Sequence, residues 1–317
     1  MGFVRIRSGE RKLNIISVDV EDYFHAANLD SVVGPAKWRR MPQRVDYSTR
    51  RVLDLFARCD TRGTFFVLGY VAARWPDLVK DIAAAGHEVA SHGYNHRLAY
   101  ELTPRQFYRD VYRSKRLLED LTGSPVLGYR APNFSIREGN SWAYDALIRA
   151  GYIYDSSLFP VWHPRYDNRG RSTQPAVLER ENGKLLIFPL AVSTLTVLGR
   201  ELRLPVAGGA YWRLLPRFYS EWGLRRIGER KSEIFNCYLH PWELDEGQPV
   251  FSELPFLTRL RHYGGVSGFE RRVEFFLRRF AFGPLVQAAA DVFGQEWQER
   301  LDARAQAPGT SAQISLT

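Results

Sequence analysis

Short apolar runs alternate with amphipathic stretches over the first three quarters of the chain, roughly every 30 residues. Apolar runs of this length, bounded by turn-forming residues, are typical of buried strands. They predict strands at residues 13–18, 63–67, 87–90, 126–129, 152–154, 185–189 and 234–239. Because strands that alternate with helices indicate βαβ units, the pattern predicts an α/β protein with a parallel (β/α) barrel.

The stretches between these runs carry apolar residues at helical spacing. In the clearest of them, Thr103 occupies the N-cap position, Pro104 the first helical position and Gln106 the capping-box position, and Gly123 follows the end. The predicted helices are 47–58, 71–85, 103–121, 140–150 and 214–227. Residues 26–46 and 160–183 are rich in turn-forming residues, so we expect irregular connections there.

The strand pattern stops after residue 245. Residues 268–280 and 285–293 have helical spacing, which predicts a small helical extension over residues 246–304 that packs on a barrel of residues 13–245. Residues 305–317 are small and polar, and we expect a disordered tail.

The chain has 317 residues and a net charge of +9, from 44 Lys and Arg against 35 Asp and Glu. The arginines occur as pairs scattered along the sequence, which predicts a generally basic surface. No nucleic-acid-binding module is recognisable, so we expect no nucleic acid as a partner. An anionic glycan, a nucleotide-sugar or a phospholipid surface suits this charge equally well.

Cys59 and Cys237 lie in apolar surroundings and are expected to be buried thiols. The chain lacks an apolar run of about 18 residues, the length that a membrane-spanning helix needs. Residues 1–12 lack the apolar region of a signal peptide. The sequence therefore favours the cytoplasm, and the basic surface would allow peripheral association with the inner membrane.

Polar side chains follow the predicted strands at their C-terminal ends, where parallel α/β folds place their active sites. The H-x3-H spacing of His92 and His96 lets two imidazoles reach one metal ion, although such a pair alone is as typical of surface or packing histidines. Three carboxylates at residues 19–22 are costly to bury without a positive partner. The complete set is Asp19, Glu21, Asp22, His92, His96, Arg130, Asp155 and His240.

This set contains the parts that a metal-dependent hydrolase needs: two imidazoles and a carboxylate for the ion, a further carboxylate, an arginine and another histidine. One oxygen and two nitrogen donors suit Zn²⁺, and also Co²⁺ or Ni²⁺. Simpler roles stay open for three residues. Arg130 could lie on the surface, Asp155 could cap a helix, and His240 could be a core histidine.

These residues resemble the polysaccharide deacetylase (NodB-homology, carbohydrate esterase family 4-like) family over about residues 13–245. The resemblance rests on the carboxylate-rich strand end, the H-x3-H, Arg130-Ala-Pro and Leu-His240. The motifs Asp-Val-Glu-Asp-Tyr-Phe-His at 19–25, Pro-Val-Ala-Gly-Gly at 205–209 and His-Pro-Trp-Glu at 240–243 are most similar to the subfamily encoded with exopolysaccharide and exosortase loci. The resemblance implies a distorted barrel, often of seven strands.

The resemblance also implies a role for each catalytic candidate. Asp19 would be the general base that deprotonates a water molecule, and Arg130 would pair with it and keep it ionised and oriented. His240 would be the general acid that protonates the leaving amine. Asp155 would pair with His240 and keep it protonated.

His92 and His96 would be metal ligands by the same resemblance, whereas the third protein ligand stays open. The family pattern has two adjacent aspartates, and here Val20 and Glu21 separate Asp19 from Asp22. Alternation along an extended strand places Asp19 and Glu21 on one face, which favours Glu21. A bulged strand would present Asp22 instead.

The sequence thus predicts a metal-dependent hydrolase that removes N-acetyl groups from an amino sugar of a cell-surface polysaccharide or of its lipid-linked or nucleotide-linked precursor. Alternatives are a hydrolase of the same fold that acts on another linear amide, and a catalytically degenerate carbohydrate-binding protein. Six aromatic residues are candidates for stacking on sugar rings: Tyr23, Phe24, Trp162, Tyr211, Trp212 and Trp242.

Overall fold

Parallel strands form the centre of the protein in a computed structural model that describes residues 3–4, 13–163, 166–230 and 233–306. The strands are β1 (Phe3–Val4), β2 (Asn14–Val20), β3 (Thr64–Val67), β4 (Glu88–Ser91), β5 (Gly128–Tyr129), β6 (Tyr154–Asp155), β7 (Trp162–His163), β8 (Tyr166–Asp167), β9 (Ala176–Arg180), β10 (Gly183–Ile187), β11 (Val192–Val197), β12 (Arg200–Pro205), β13 (Asn236–Leu239) and β14 (Phe282–Gly283).

Seven strands run parallel in the order β10-β6-β5-β4-β3-β2-β13. The Ala191 N–H, just beyond β10, donates to the Asn236 carbonyl of β13 at 2.9 Å, which links the two edges of this series. The predicted α/β fold with a distorted barrel is confirmed. Antiparallel β9 and β1 extend the sheet from β10, and β14 also pairs with β2.

The α-helices are α1 (Val45–Arg58), α2 (Gly69–Ala72), α3 (Pro76–Ala84), α4 (Pro104–Thr122), α5 (Trp142–Arg149), α6 (Ala210–Leu214), α7 (Arg217–Gly228), α8 (Phe256–Tyr263), α9 (Phe269–Arg279), α10 (Leu285–Phe293) and α11 (Gln295–Gln306). Prolines change the bounds of two predicted helices. Pro76 divides the predicted helix 71–85 into α2 and α3, and Pro216 makes the predicted helix 214–227 begin as α7 at Arg217, after the separate α6, because proline lacks an N–H and clashes with the preceding turn.

Two segments that we expected to be irregular contain regular secondary structure. The expected connection 160–183 contains β7, β8 and β9, and the region 26–46 holds short 3-10 turns at Ala27–Leu29 and Pro35–Arg40. The helices α8 and α11 were not predicted, and α11 runs through the predicted boundary at residue 304 to Gln306. The rest of the predicted tail, 307–317, lies outside the described residues.

The C-terminal extension packs on the barrel, at the end where the strands begin. The Leu285 N–H of α10 donates to Thr64 Oγ at 2.7 Å, and the Val286 N–H donates to the Glu88 carboxylate at 3.1 Å. Apolar residues of α10 share one buried cluster with Ile15 and Phe66 from the strands. This end of the barrel is therefore filled with apolar side chains, and polar side chains collect at the opposite end.

None of the described helices has the length and apolar character that a membrane-spanning segment needs. Cys59 and Cys237 are both free thiols, as predicted. Cys237 is buried, whereas Cys59 is only half-buried.

Candidate metal centre

Alternate residues of β2 lead from the apolar core to the site. Ile15 belongs to the cluster around α10, Ser17 Oγ donates to the Cys237 carbonyl at 2.9 Å, and Asp19 and Glu21 follow at intervals of two. The side chains of an extended strand alternate between its two faces, so these four residues share one face. Both carboxylates are almost fully buried, at 2% and 3% exposure.

Glu21, His92 and His96 form a group whose candidate ligand atoms all lie within 4.8 Å of one another. Glu21 Oε2 lies 2.7 Å from His96 Nε2 and 4.0 Å from His92 Nε2. Among the described residues this buried oxygen has no hydrogen bond of acceptable geometry. One carboxylate oxygen and two imidazole nitrogens converge here without satisfying one another, which fits a divalent ion of the Zn²⁺, Co²⁺ or Ni²⁺ type.

Neighbouring groups hold these donors in a state suited to metal binding. His92 Nδ1–H donates to the Arg130 carbonyl at 2.8 Å, which leaves Nε2 as the lone-pair nitrogen that faces Glu21. Burial lowers the pKa of His92 to about 4, so this imidazole is neutral at pH 7. The Trp242 indole N–H donates to Glu21 Oε1 at 3.3 Å and orients the carboxylate.

Asp22 lies outside this group and has a local structural role. Its carboxylate accepts the backbone N–H groups of Tyr23, Arg44 and Val45 at 2.7–3.0 Å, and so holds the start of α1 against the end of β2. Of the two carboxylates that the sequence left open, the structure places Glu21 beside the histidines and directs Asp22 away.

Substitution of these two carboxylates should separate metal binding from structure. We expect Glu21→Ala to lose the bound divalent ion, because the group loses its only oxygen donor. Asp22→Asn should keep the ion but unfold at a lower temperature, because one of its backbone contacts is lost. Metal content is measured by mass spectrometry, and stability by thermal unfolding, on both variants. Equal metal retention in the two variants would contradict the assignment of Glu21.

Asp19 and Arg130 make the predicted ion pair, with 2.7 Å between Asp19 Oδ1 and Arg130 Nη1. Arg130 is fully buried, so the surface alternative for it is wrong. Its other N–H groups donate to Ser17 Oγ and to the carbonyl and Oγ of Ser156. The guanidinium is thus fixed on three sides and presents one N–H edge to Asp19.

His240 pairs with Glu243 and not with Asp155. His240 Nδ1 lies 3.1 Å from Glu243 Oε2, and His240 Nε2 lies 3.5 Å from Glu21 Oε1. Burial lowers the pKa of His240, but the hydrogen bond to Glu243 and the charge of Glu21 outweigh it and bring the pKa to about 9. These carboxylates favour the protonated imidazole. The partner that we predicted for His240, Asp155, is thus corrected to Glu243.

Glu243 is held in turn by Arg213, and both side chains are 1% exposed. Arg213 Nε donates to Glu243 Oε1 at 2.6 Å, and its remaining N–H groups donate to the carbonyls of Arg261, His262 and Gly264. Burial raises the pKa of Glu243, yet the charges of Arg213 and His240 bring it down to about 2. Sequence reasoning missed both residues. The spacing of His240 and Glu243 within one turn was the available signal.

Asp155 has a different function in the fold. Its carboxylate accepts the Ser157 hydroxyl at 2.5 Å and the Ser157 N–H at 3.0 Å, and Ser157 Oγ accepts the Ala131 N–H at 2.8 Å. Burial raises the pKa of Asp155 to about 7. Asp155 therefore fixes the chain beside Arg130 and has no direct contact with His240.

The candidate residues open into one cleft of about 590 Å³. Asp19, Glu21, His92, His96 and His240 all line it. Of the six aromatic candidates for sugar stacking, three line this cleft: Trp162, Tyr211 and Trp242. Tyr23, Phe24 and Trp212 are fully buried in the core instead. The cleft thus has a polar base and an aromatic wall.

Backbone strain is concentrated around this cleft. Among the described residues, five non-glycine residues have left-handed backbone angles, and three of them are His96, Asn133 and Phe134 in the cleft wall. Non-glycine residues pay about 1 kcal/mol or more for this conformation, so it persists where the surroundings impose it. The strain places the His96 ring opposite Glu21.

The glycine pair at 208–209 positions the other wall. Gly208 has φ +120°, and a Cβ there would lie 2.0 Å from the Tyr238 carbonyl oxygen, so no larger residue fits. Gly209 N–H donates to the same oxygen at 3.0 Å. The loop therefore seats α6 against β13 and brings Tyr211 and Arg213 to the cleft.

Two family profiles match the chain. The polysaccharide deacetylase profile matches residues 41–150, which include His92, His96 and Arg130. A domain of unknown function (DUF3473) matches residues 156–290, which include His240 and Glu243 and run across the boundary that we predicted at residue 245.

Two curated proteins that are similar to part of this chain are named as peptidoglycan deacetylases. A peptidoglycan deacetylase of Helicobacter pylori is 34% identical over 34% of this chain and 36% of its own length. A peptidoglycan-N-acetylglucosamine deacetylase of Bacillus cereus is 30% identical over 36% of this chain and 51% of its own length. The chain thus spans about a third to a half of these curated relatives.

Solved structures share the fold over most of the chain. A Mycobacterium smegmatis protein assigned to the polysaccharide deacetylases superposes with a TM-score of 0.60 at 21% identity, covering 92% of this chain and 95% of its own. The allantoinase Puue superposes with a TM-score of 0.54 at 16% identity, covering 87% and 88%. At these identities the likeness establishes the fold alone.

Proposed function

We propose that this protein is a metal-dependent N-deacetylase that releases acetate from an N-acetylated amino sugar in a polysaccharide or its precursor. One observation carries the proposal: Asp19 and His240 line the same cleft as the Glu21, His92 and His96 group. A carboxylate able to accept a proton and an imidazole able to donate one then face a single bound amide.

A divalent ion held by Glu21, His92 and His96 would polarise the acyl oxygen of the amide and acidify a water molecule. Zn²⁺ is the ion that we propose, with Co²⁺ and Ni²⁺ as alternatives, because one oxygen and two nitrogen donors suit all three.

Asp19 is placed to accept a proton from the attacking water, and its ion pair with Arg130 fixes the orientation of the carboxylate. The oxygen of that water forms the new bond to the acyl carbon. The ion pair leaves one carboxylate oxygen outside the contact with Nη1, which is the oxygen available for the proton.

His240 is placed to protonate the leaving nitrogen as the C–N bond breaks, which yields acetate and a free amine. Glu243 holds Nδ1 of the ring, so Nε2 is the nitrogen that faces the cleft and donates. An amide nitrogen is a poor leaving group without a proton, so this donation is essential for N-deacetylation.

The class of substrate and the biological setting are further proposals. The aromatic wall of Trp162, Tyr211 and Trp242 supports a glycan substrate over a small linear amide such as an acyclic ureide. A role in exopolysaccharide biosynthesis, a cytoplasmic location and peripheral association with the inner membrane stay predictions from the sequence.

The metal test uses two histidines of the same cleft. Wild-type protein should hold about one divalent ion per chain and release acetate from N-acetylated oligosaccharides. His92→Ala should lose both, because a three-donor group cannot hold the ion with two. His163→Ala, a cleft histidine outside the group, should keep its metal. Full metal content in His92→Ala would overturn the ligand assignment, and ammonia release from an acyclic ureide such as allantoate, without acetate release from the oligosaccharides, would favour the linear-amide alternative.

A further inference from the structure

A second cleft adjoins the catalytic cleft on the other side of His96. It has a volume of about 800 Å³ and shares His96 and Asn133 with the catalytic cleft. Because the two clefts share these two residues, they lie next to each other on the protein. We call it the arginine cleft, after the four arginines in its lining: Arg39, Arg74, Arg97 and Arg113.

The four guanidinium groups are exposed, and none forms an ion pair with another described residue. This distinguishes them from Arg130 and Arg213, which are buried against carboxylates. The acidic residues in the lining are Asp30 and Glu101, so the arginine cleft carries net positive charge.

Aromatic rings hold two of these arginines at the cleft wall. The Arg74 guanidinium lies 3.5 Å from the ring centroid of Tyr70, and the Arg113 guanidinium lies 3.8 Å from that of Tyr94. Stacking on a ring restricts the side chain and leaves its positive charge in place. The half-buried Asp110 carboxylate, which is not in the cleft lining, offsets part of the charge of Arg97 and Arg113. The arrangement therefore preorganises positive charge towards a ligand.

Guanidinium groups bind carboxylate and phosphate through paired N–H donors, and several of them in one concave surface attract anions strongly. A neutral sugar chain gives such groups no charged partner. The volume is within the range of sites for organic ligands and exceeds what a single inorganic ion needs. An extended ligand with anionic substituents fits both the charge and the size.

We infer that the arginine cleft binds carboxylate or phosphate groups on the part of the substrate that flanks the acetylated sugar, so that the preferred substrate is an acidic glycan. The inference rests on the proposed function, because it takes the acetylated unit to lie in the catalytic cleft. It adds a specificity site whose arginines have no part in the chemical step.

Two matched tetrasaccharides, assayed at low ionic strength, test whether the arginine cleft binds carboxylate groups. In the first, N-acetylglucosamine alternates with glucuronate; in the second, the glucuronates are reduced to glucose. Wild-type kcat/KM should be about 3- to 10-fold higher for the acidic compound, as expected for two or three exposed ion pairs. Arg39→Gln/Arg97→Gln should abolish that preference and leave the neutral compound unaffected.

The matched control is Arg40→Gln/Arg109→Gln, which removes the same charge from two exposed arginines outside the cleft. It should keep the preference. A comparison of kcat/KM for UDP-N-acetylglucosamine and free N-acetylglucosamine tests in the same way whether the cleft binds phosphate. An equal loss in the control variant would mean that net charge, and not the cleft, attracts the substrate, and would overturn the inference.

Calorimetric titration of Asp19→Asn with both tetrasaccharides separates binding from turnover. Tighter binding of the acidic compound without any acetate release by the wild type would contradict the proposed function and support the arginine cleft as an anion site. Equal binding of the acidic and neutral compounds, with no preference for the phosphate-bearing sugar, would overturn the inference even if both are deacetylated.

Discussion

Asp19→Asn is expected to lower kcat for acetate release by about 10³-fold, the scale on which general bases contribute, while the bound metal stays in place. Asparagine keeps a carbonyl oxygen that can accept the N–H of Arg130, so the geometry of the 2.7 Å contact survives. It cannot take a proton from water at neutral pH. The loss should therefore appear in turnover and not in metal content.

Asp22→Asn is the matched control, because it neutralises a buried carboxylate three residues away that does not line the cleft. Its kcat should stay within about threefold of wild type, since it lies outside the chemistry. Acetate release and metal content are measured on both variants. More than a tenth of wild-type turnover in metal-loaded Asp19→Asn would exclude Asp19 as the base.

Alternation along β2 made much of the site predictable. An apolar strand that ends in Asp-Val-Glu-Asp can present Asp19 and Glu21 on one face only if the backbone stays extended beyond it. β2 ends at Val20, and the backbone is extended again at Asp22. Glu21 therefore joins His92 and His96, whereas Asp22 turns away to cap the following chain. Local periodicity was sufficient here because strand geometry fixes the direction of each side chain.

Long-range pairings were less predictable. Asp155 and His240 both follow barrel strands, which suggested a contact, but a carboxylate binds the nearest suitable donors. For Asp155 these are the N–H and hydroxyl of Ser157, two residues along the chain. Arg213 reaches Glu243 only because the 208–209 glycine pair seats α6 against β13, a packing detail without a periodic signal in the sequence.

Glu243→Gln is expected to lower kcat for N-deacetylation by about 10²-fold, because His240 loses the charged partner that holds it protonated and oriented. The buried Arg213 loses its counter-charge as well, so we expect a stability loss of about 3 kcal/mol. Thermal unfolding then sets the temperature at which the variant is assayed. If the variant does not fold, His240→Gln tests the same donation without disturbing Arg213.

A comparison of two leaving groups separates proton donation from a general structural defect. 4-Nitrophenolate departs from an acetyl ester without a proton, whereas an amine departs only when protonated. Glu243→Gln should therefore lose far more activity on an N-acetylated oligosaccharide than on 4-nitrophenyl acetate. Asp155→Asn, which keeps a side-chain acceptor for Ser157, should change neither rate by more than about threefold. Equal losses on both substrates in Glu243→Gln would show that Glu243 supports the fold and not the acid, and a selective loss in Asp155→Asn would restore the pairing that the sequence suggested.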